Sequence, residues 1–228
     1  VLMVDLDPQG NATMGSGVDK RAMELSVYDV LLESASVAEA ITVPDKLKDA
    51  GAPYAVLGAN RELAGAEVEL VGEQRRERRL KDALAQVDAE YDFILIDCPP
   101  SLSMLTLNGL CAAQGVIVPM QCEYFALEGL ADLANTIKQV HAHLNRDLRL
   151  IGLLRVMFDP RITLQQQVSD QLKAHYGNKV FDTIIPRNVR LAEAPSYGLP
   201  GLVFDPSAKG SKAFLAFAEE MVARGLRD

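Results

Sequence analysis

Three aspartates stand where two apolar segments end, and they are the residues best suited to chemistry. Asp5 and Asp7 follow the apolar run 1–4 in VLMVDLDPQGNAT, and Asp97 ends the segment YDFILID. Four apolar residues followed by Asp is typical of a Walker B strand, whose carboxylate holds Mg²⁺ through a water while the metal neutralises transferring phosphates. Taken alone, however, each site is explained more simply by an acid that ends a strand or caps a turn.

The residues around these aspartates favour a common site. Pro99 and Pro100 follow Asp97 closely and stiffen the chain where it leaves the strand, because each proline fixes its own φ. Asp5 and Asp7 are two residues apart, so they lie on opposite sides of the chain if strand geometry persists. We therefore expect one of the two carboxylates to face a metal ion and the other to face an attacking water.

The pattern of apolar segments predicts the elements that position these acids. Short apolar runs without alternation are typical of strands covered on both faces, as in a parallel sheet. Strands are predicted over 1–4, 54–57, 91–97, 115–119, 148–157 and 180–185. Helices are predicted over 26–32, 36–41, a stretch from about 61 that includes a solvated RRERR face, 103–113, 125–144, 164–176 and 211–226. Because strands and helices alternate along the chain, we predict a single α/β domain over 1–228, with a mainly parallel twisted sheet flanked by helices. Ligands are expected beyond the carboxyl ends of the strands.

The composition excludes several classes of function. The 228 residues carry a net charge of -8, which argues against a broad basic surface and leaves room only for a local basic patch. The absence of Trp argues against a stacking platform for single-stranded nucleic acid. The three cysteines lack C-x-x-C spacing, so we expect neither a disulfide framework nor a zinc site. This use of cysteine fits the reducing cytosol, so we expect a cytoplasmic protein. No apolar run approaches the ~20 residues of a membrane span.

The two aspartate segments also carry a family resemblance. VDLDPQGNAT followed by YDFILIDCPPSL resembles the ParA/Soj partition ATPases of the deviant-Walker, MinD-like group of P-loop ATPases. The resemblance continues through YFALEGLADLANTI, MFDPRITLQQQV, VFDTIIPRNVRLAEAPSYGLP and FDPSAKGSKAF, so it spans essentially the whole chain. It implies a P-loop NTPase-like fold, ATP and Mg²⁺ as cofactors, and ATP hydrolysis in the segregation of chromosomes or plasmids.

One part of the family pattern is missing. Members of the family begin with a strand, a P-loop of the type KGGxGKT and a helix before VLxVDLDPQ, whereas no Gly-Lys dipeptide occurs in these 228 residues. We expect an N-terminally truncated ParA-like domain, inactive as it stands, whose full-length form hydrolyses ATP. The alternative is a chain that genuinely lacks a P-loop and serves as a non-catalytic module that binds a partner or DNA.

The resemblance implies roles for individual residues. Asp7 would orient the hydrolytic water, Asp5 would lie near the phosphates, and Asp97 would hold the water shell of Mg²⁺. A switch that reports the nucleotide state would include Gln9, Gly10 and Asn11. The adenine would be seated by Met157, Pro186 and Arg187, although a packing role explains Met157 equally well.

The resemblance also implies partners. These are a second copy of the chain in an ATP-dependent homodimer, non-specific DNA, and a ParB-type centromere-binding protein that stimulates hydrolysis. The DNA-binding candidates, each of which could also be an ordinary surface cation, are Lys173, Lys179, Arg187, Arg190, Lys209 and Lys212. A nucleoid-associated cytoplasmic protein is expected. A MinD-like membrane-associated ATPase is the alternative, but the acidic pair Glu219-Glu220 predicts that the closing helix is docked on the core rather than on lipid.

Overall fold

The computed structural model describes residues 1–224. Its strands are β1 (Leu2–Asp5), β2 (Ile41–Thr42), β3 (Ala55–Leu57), β4 (Ile94–Asp97), β5 (Gly115–Met120), β6 (Arg149–Phe158) and β7 (Val180–Pro186). Its α-helices are α1 (Asn11–Gly15), α2 (Val27–Leu31), α3 (Val37–Ala40), α4 (Asp45–Asp49), α5 (Leu63–Glu69), α6 (Arg79–Leu84), α7 (Met104–Ala112), α8 (Ala126–His143), α9 (Thr163–Tyr176), α10 (Val189–Glu193), α11 (Gly201–Phe204) and α12 (Lys209–Ala223). The last residues of the final predicted helix, 225–226, lie outside the described part.

The first compact unit contains residues 1–114 together with 194–200. Its sheet has the order β2-β3-β1-β4, in which β1 pairs in parallel with β3 and β4 while β2 is antiparallel to β3. Leu2 and Val4 on β1 are fully buried, together with Leu6 just beyond it. On the opposite face, Met3 is partly buried and Asp5 is fully buried, so the prediction of a strand covered on both faces is confirmed at β1, which lies in the middle of this sheet.

Several helices of this unit begin where the sequence predicts. Ser26 and Ser36 cap α2 and α3 in capping boxes completed by Asp29 and Glu39. The Ser103 hydroxyl accepts a hydrogen bond from the Leu105 amide at the start of α7. These serines satisfy amide groups that a helix N-terminus leaves without an intrahelical partner, which is why the helices begin there.

The helix predicted from residue 61 is interrupted in the structure. The break contains two short 3₁₀ turns and Arg75 in a left-handed conformation at φ 56°. The buried Asn108 amide accepts from the Leu80 amide and donates to the Arg76 carbonyl, which fixes the chain beside α7. Arg79 is only 13% exposed at its side chain and pairs with Glu73. The RRERR segment is thus not the fully solvated helix face that was predicted.

The second compact unit contains residues 115–193 and the described residues from 201 onward. Its three strands are parallel in the order β5-β6-β7. The outer edge of β7 is covered by the Glu220 carboxylate on α12, which accepts hydrogen bonds of 2.8 Å from the amides of Asp182 and Thr183. This carboxylate satisfies backbone donors that an open strand edge would expose.

The fold class is confirmed as α/β, with mainly parallel strands flanked by helices. The described strands form two sheets rather than one continuous sheet. Cys111 and Cys122 are buried, Cys98 is partly buried, and all three are free thiols.

Candidate magnesium and nucleotide site

The two strands that carry the predicted acids are neighbours in the first unit. β1 and β4 pair in parallel, with Asp5 directly opposite Asp97 at their carboxyl ends. Adjacent strands lie about 4.8 Å apart, so the two backbones are held close together at this edge. Asp7 follows two residues beyond Asp5. The structure therefore brings together the three carboxylates that the sequence singled out.

The surroundings of Asp97 disfavour its charged form. Although the residue is exposed as a whole, partial desolvation of its carboxyl group and the negative charges of Asp5 and Asp7 raise the pKa of Asp97 to about 6. Like charges that crowd a carboxylate favour its neutral form. A bound cation would relieve this repulsion, so the cluster has the electrostatic character of a cation site.

Asp5 is held by hydrogen bonds inside the fold. It is fully buried, and its two carboxylate oxygens already accept hydrogen bonds from the chain itself. Oδ1 accepts from the Asp7 amide at 3.0 Å, and Oδ2 accepts from the amide and hydroxyl of Thr13 at 2.8 and 2.7 Å. These hydrogen bonds make Asp5 an internal anchor of the chain, and its predicted place near the phosphates stays a prediction.

Asp7 has a carboxylate oxygen that could contact a ligand. Its side chain is half-buried, and its Oδ1 accepts a hydrogen bond of 2.9 Å from the Gln9 amide. Its Oδ2 accepts no hydrogen bond from residues 1–224. The Asp7 carbonyl accepts from the Gly10 amide at 2.8 Å, so the chain turns back directly after Asp7. One oxygen of Asp7 is therefore free to act on a ligand.

The predicted switch residues form this turn. Gln9 and Asn11 are exposed, whereas Gly10 is buried in a left-handed conformation at φ 61° and precedes α1. A Cβ on Gly10 would lie 2.7 Å from the Ala59 carbonyl oxygen, so the turn requires glycine there. Lys20, which the sequence did not single out, donates from its ammonium group to the Gln9 carbonyl. The turn is thus held from two sides.

The donor set fits Mg²⁺ bound through its water shell. Within residues 1–224 no group of three or more His, Cys, Asp or Glu side chains is placed to ligate a metal directly. A hard cation that keeps several waters and contacts one or two carboxylates needs no such group. Asp97 is the group that would hold the water shell of this ion.

The residues predicted to seat adenine lie together in the second unit. Phe158 on β6 pairs in register with Pro186 on β7, and the Arg187 amide lies 3.4 Å from the Phe158 carbonyl oxygen. Met157 is 40% exposed and has φ 54°, a left-handed conformation that is costly for a residue with a side chain. An exposed and strained Met157 argues against its packing role, and the assignment to adenine stays a prediction.

The predicted DNA-binding residues fall at two ends of this unit. Lys173 and Lys179 lie just before β7, where Lys179 donates to the Leu150 carbonyl. Arg187 and Arg190 follow β7, and the first turn of α12 reaches the same end, because Gly210 lies against Leu191 and Asn188. Lys209 and Lys212 in that turn therefore share an end with Arg187. The six cations do not form one patch.

Arg190 at that end is already engaged. Its guanidinium pairs with Asp205 and Glu193 and stacks on the Phe204 ring, with its centre 4.6 Å from the ring centroid. No ion pair is formed by Arg187, Lys209 or Lys212 within residues 1–224. These three cations are exposed at this end of the unit, and Lys173, which also forms no ion pair within residues 1–224, is exposed at the other end.

None of the helices in residues 1–224 combines the length and the apolar character needed to cross a bilayer.

A family model and several known proteins match this chain. The family described as AAA domain (AAA_31) matches residues 1–150. The sporulation initiation inhibitor protein Soj of Bacillus subtilis is 48% identical over 99% of this chain and 87% of its own length. The chromosome-partitioning ATPase Soj of Treponema pallidum is also 48% identical, over 98% of this chain and 85% of its own length.

Solved structures agree with this result. A structure described as cobyrinic acid a,c-diamide synthase from Mycobacterium smegmatis, with bound ATP analog and magnesium, has a TM-score of 0.81 and 39% identity over 96% of this chain and 80% of that chain. The cell division ATPase MinD of Pyrococcus furiosus, at 22% identity, shares the fold with a TM-score of 0.75 over 97% of this chain and 85% of its own. The chain thus belongs to the AAA domain family and, within it, to the ParA/Soj-like partition ATPases.

Proposed function

We propose that this protein is an ATP-dependent partition ATPase that segregates chromosomes or plasmids, with its reaction centred on Asp7 and Asp97. The observation that carries the proposal is the pairing of β1 with β4, which places Asp5 opposite Asp97. There, partial burial and then the charges of Asp5 and Asp7 raise the pKa of Asp97 to about 6. Such a cluster favours binding of a divalent cation. The name of a relative, chromosome-partitioning ATPase, supports ATP hydrolysis as the reaction.

Each acid has its own task in the proposed hydrolysis. Asp97 holds the waters of the metal ion, and the free Oδ2 of Asp7 accepts a hydrogen bond from the attacking water and orients it. Asp5 holds the amides of Asp7 and Thr13 from inside the fold. Mg²⁺, when bound, neutralises the charge on the phosphates. Catalysis of this kind depends on positioning and electrostatics, so small displacements of Asp7 lower the rate.

We propose further that the segment cradling the phosphates precedes Val1. In P-loop proteins the backbone amides and the lysine of a Gly-rich loop perform that task, and residues 1–228 contain no Gly-Lys dipeptide. The DNA immediately upstream of the Val1 codon then encodes an in-frame KGGxGKT motif. A stop codon directly upstream, or an open frame without that motif, would contradict this and favour a module that only binds partners or DNA.

ATP turnover tests the proposed reaction directly. The 228-residue chain is expected to turn over no ATP, whereas the same chain with its upstream segment does so in the presence of Mg²⁺. In the longer protein, Asp7→Asn should lower kcat by about 100-fold or more, because the attacking water loses its acceptor. The matched control is Asp92→Asn, an exposed acid just before β4. Equal turnover by Asp7→Asn and Asp92→Asn would overturn the role of Asp7.

We propose that the ATP-bound homodimer contacts DNA without sequence preference through Arg187, Lys209 and Lys212. Each phosphate contact that is lost reduces the salt dependence of binding, so Lys209→Gln should lower the slope of log K against log salt by about 0.9. Lys173→Gln, at the other end of β7, is the control and should leave the slope unchanged. The reverse result would place the DNA surface at the opposite end of this unit.

The remaining proposed partners follow from the same function. A ParB-type protein from the same genome should accelerate ATP turnover, and the protein should associate with the nucleoid in the cytoplasm. Glu220 on α12 is occupied in covering β7, which favours a docked closing helix over a lipid-binding one. ATP-dependent flotation with anionic vesicles would instead support the MinD-like alternative.

A further inference from the structure

Thr13 lies at the centre of a buried hydrogen-bond cluster that joins three segments of the first unit. Its hydroxyl donates to Asp5 Oδ2 at 2.7 Å and accepts from the Ala59 amide at 2.9 Å. Its own amide donates to the same Asp5 oxygen at 2.8 Å. Thr13, Asp5 and Ala59 are each 0% exposed. We call these three residues the Thr13 clamp.

The chemistry of the clamp requires a hydroxyl at position 13. A hydroxyl can donate one hydrogen bond and accept another at the same time, which no aliphatic side chain can do. Without it, the Ala59 amide would be buried without an acceptor, and Asp5 Oδ2 would lose one of its two donors. A polar group left unpaired in the interior is costly, so the clamp strongly favours one arrangement of the three segments.

The clamp acts on the turn that carries Asp7. The other oxygen of Asp5, Oδ1, accepts from the Asp7 amide at 3.0 Å, so the chain is held on the N-terminal side of the turn. On the C-terminal side, Gly10 is close to the Ala59 carbonyl, and α1, which begins directly after Gly10, contains Thr13. Both ends of the turn are therefore fixed by the same buried cluster.

We propose that Thr13 is a positioning residue, which through Asp5 and Ala59 fixes the turn 7–10 so that Asp7 Oδ2 points away from the chain toward the reacting water. This inference rests on the proposed ATP hydrolysis. It makes Asp5 part of the support of Asp7 rather than a group that touches the nucleotide. The conformation of the turn can be measured without ATP, so the physical claim and the proposed activity have separate tests.

The experiment compares three substitutions in the full-length gene product. Thr13→Val keeps the shape of the side chain and removes the hydroxyl, whereas Thr13→Ser keeps the hydroxyl. Val37→Ala, which truncates a buried side chain on α3, is the control for a general loss of stability. Amide hydrogen exchange is measured without nucleotide, and kcat and KM for ATP are measured with Mg²⁺.

The Thr13 clamp predicts a specific pattern. In Thr13→Val, the amides of Asp7 and Ala59 should exchange about tenfold faster or more relative to the rest of the unit, because one buried hydrogen-bonded group is lost. Its kcat should fall about tenfold while KM stays within about twofold, since positioning acts on the transition state. Thr13→Ser should restore both quantities, and Val37→Ala should leave kcat unchanged.

Several results would overturn the proposal. Unchanged exchange at Asp7 and Ala59 in Thr13→Val would do so whether or not the protein hydrolyses ATP. The same holds if Thr13→Ser behaves like Thr13→Val, or if Val37→Ala lowers kcat as much. If no chain turns over ATP while exchange changes as described, the proposed function fails and the conformational role of the clamp stands.

Discussion

Replacing Asp97 with asparagine should make the protein more stable at pH 7 in the absence of nucleotide and metal, although it removes a residue of the proposed site. Partial burial and the charges of Asp5 and Asp7 raise the pKa of Asp97 from 3.8 to about 6. At pH 7 the folded protein therefore carries a carboxylate that its surroundings disfavour. Asparagine has a similar shape and no charge, so it removes the repulsion.

The magnitude follows from this pKa and from the exposure of the residue. One pKa unit corresponds to about 1.4 kcal/mol. Because Asp97 is exposed to solvent, screening reduces the expected gain in the free energy of unfolding to about 1 kcal/mol. For a chain of this size, that gain raises Tm by about 2–4 °C.

The stability difference between Asp97→Asn and the wild type should depend on pH. A carboxyl group whose pKa is raised in the folded state binds its proton more tightly there, so the folded protein loses stability as the pH rises from about 4 to about 6. The advantage of Asp97→Asn is complete at pH 7 and absent below pH 4. Asp92→Asn, which changes an exposed acid just before the same strand, serves as the control for a general change in net charge.

Urea unfolding of the wild type, Asp97→Asn and Asp92→Asn at pH 7 and pH 4 measures these differences. A less stable Asp97→Asn at pH 7 would refute the reasoning, since it would mean that the Asp97 carboxylate is stabilised by its surroundings. An equal gain at both pH values would also refute it, because the gain would then not come from the charge.

Three further substitutions test other parts of the structure by urea unfolding. Burial would raise the pKa of Glu220, but hydrogen bonds from Thr183 and Asp182 and the charge of Arg224 lower it to about 2. Glu220→Gln should therefore cost about 2 kcal/mol at pH 7, and the difference should vanish as the pH falls from about 4.5 to about 2. An equal cost at pH 2 would contradict this. The buried Arg155 donates hydrogen bonds to Ser169, Phe181 and Asp182. Arg155→Lys should lower the free energy of unfolding by about 2 kcal/mol, because an ammonium group cannot reproduce the planar guanidinium. An unchanged urea midpoint would contradict this. Gly10→Ala should cost about 2 kcal/mol or more, because its positive φ is strained and its Cβ would meet the Ala59 carbonyl; a neutral Gly10→Ala would show that the turn is not fixed.

Local patterns predicted much of the fold. The apolar run 1–4 and the segment ending at Asp97 predicted β1 and β4, although β4 is partly buried on one face only, with Leu95 50% exposed on the other. Ser26 and Ser36 predicted two helix starts because the capping hydrogen bonds are local. The closeness of Asp5 and Asp97 followed from one general property of parallel sheets, in which the carboxyl ends of neighbouring strands share an edge.

Contacts between distant residues account for what the sequence did not predict. The break at Arg75 depends on Asn108, which is 28 residues beyond the Leu80 amide that it binds. The burial of Asp5 depends on Thr13, whose hydroxyl also binds the amide of Ala59, 46 residues away. An Asn-Ala-Thr sequence after a glycine carries no local signal of that partner. The sequence therefore located the acids, whereas the structure was needed to separate the anchoring Asp5 from the available Asp7.

Paramagnetic broadening of amide signals by Mn²⁺ with ATP tests most directly whether Asp7 and Asp97 serve one metal–nucleotide site. Mn²⁺ takes the same oxygen ligands as Mg²⁺. In the protein with its upstream segment, the amides of Asp7 and Asp97 should broaden together on addition of Mn²⁺ and ATP. Asp97→Asn should abolish the effect at both amides, whereas Asp92→Asn should not. Broadening at only one of the two amides, or at neither, would contradict the account.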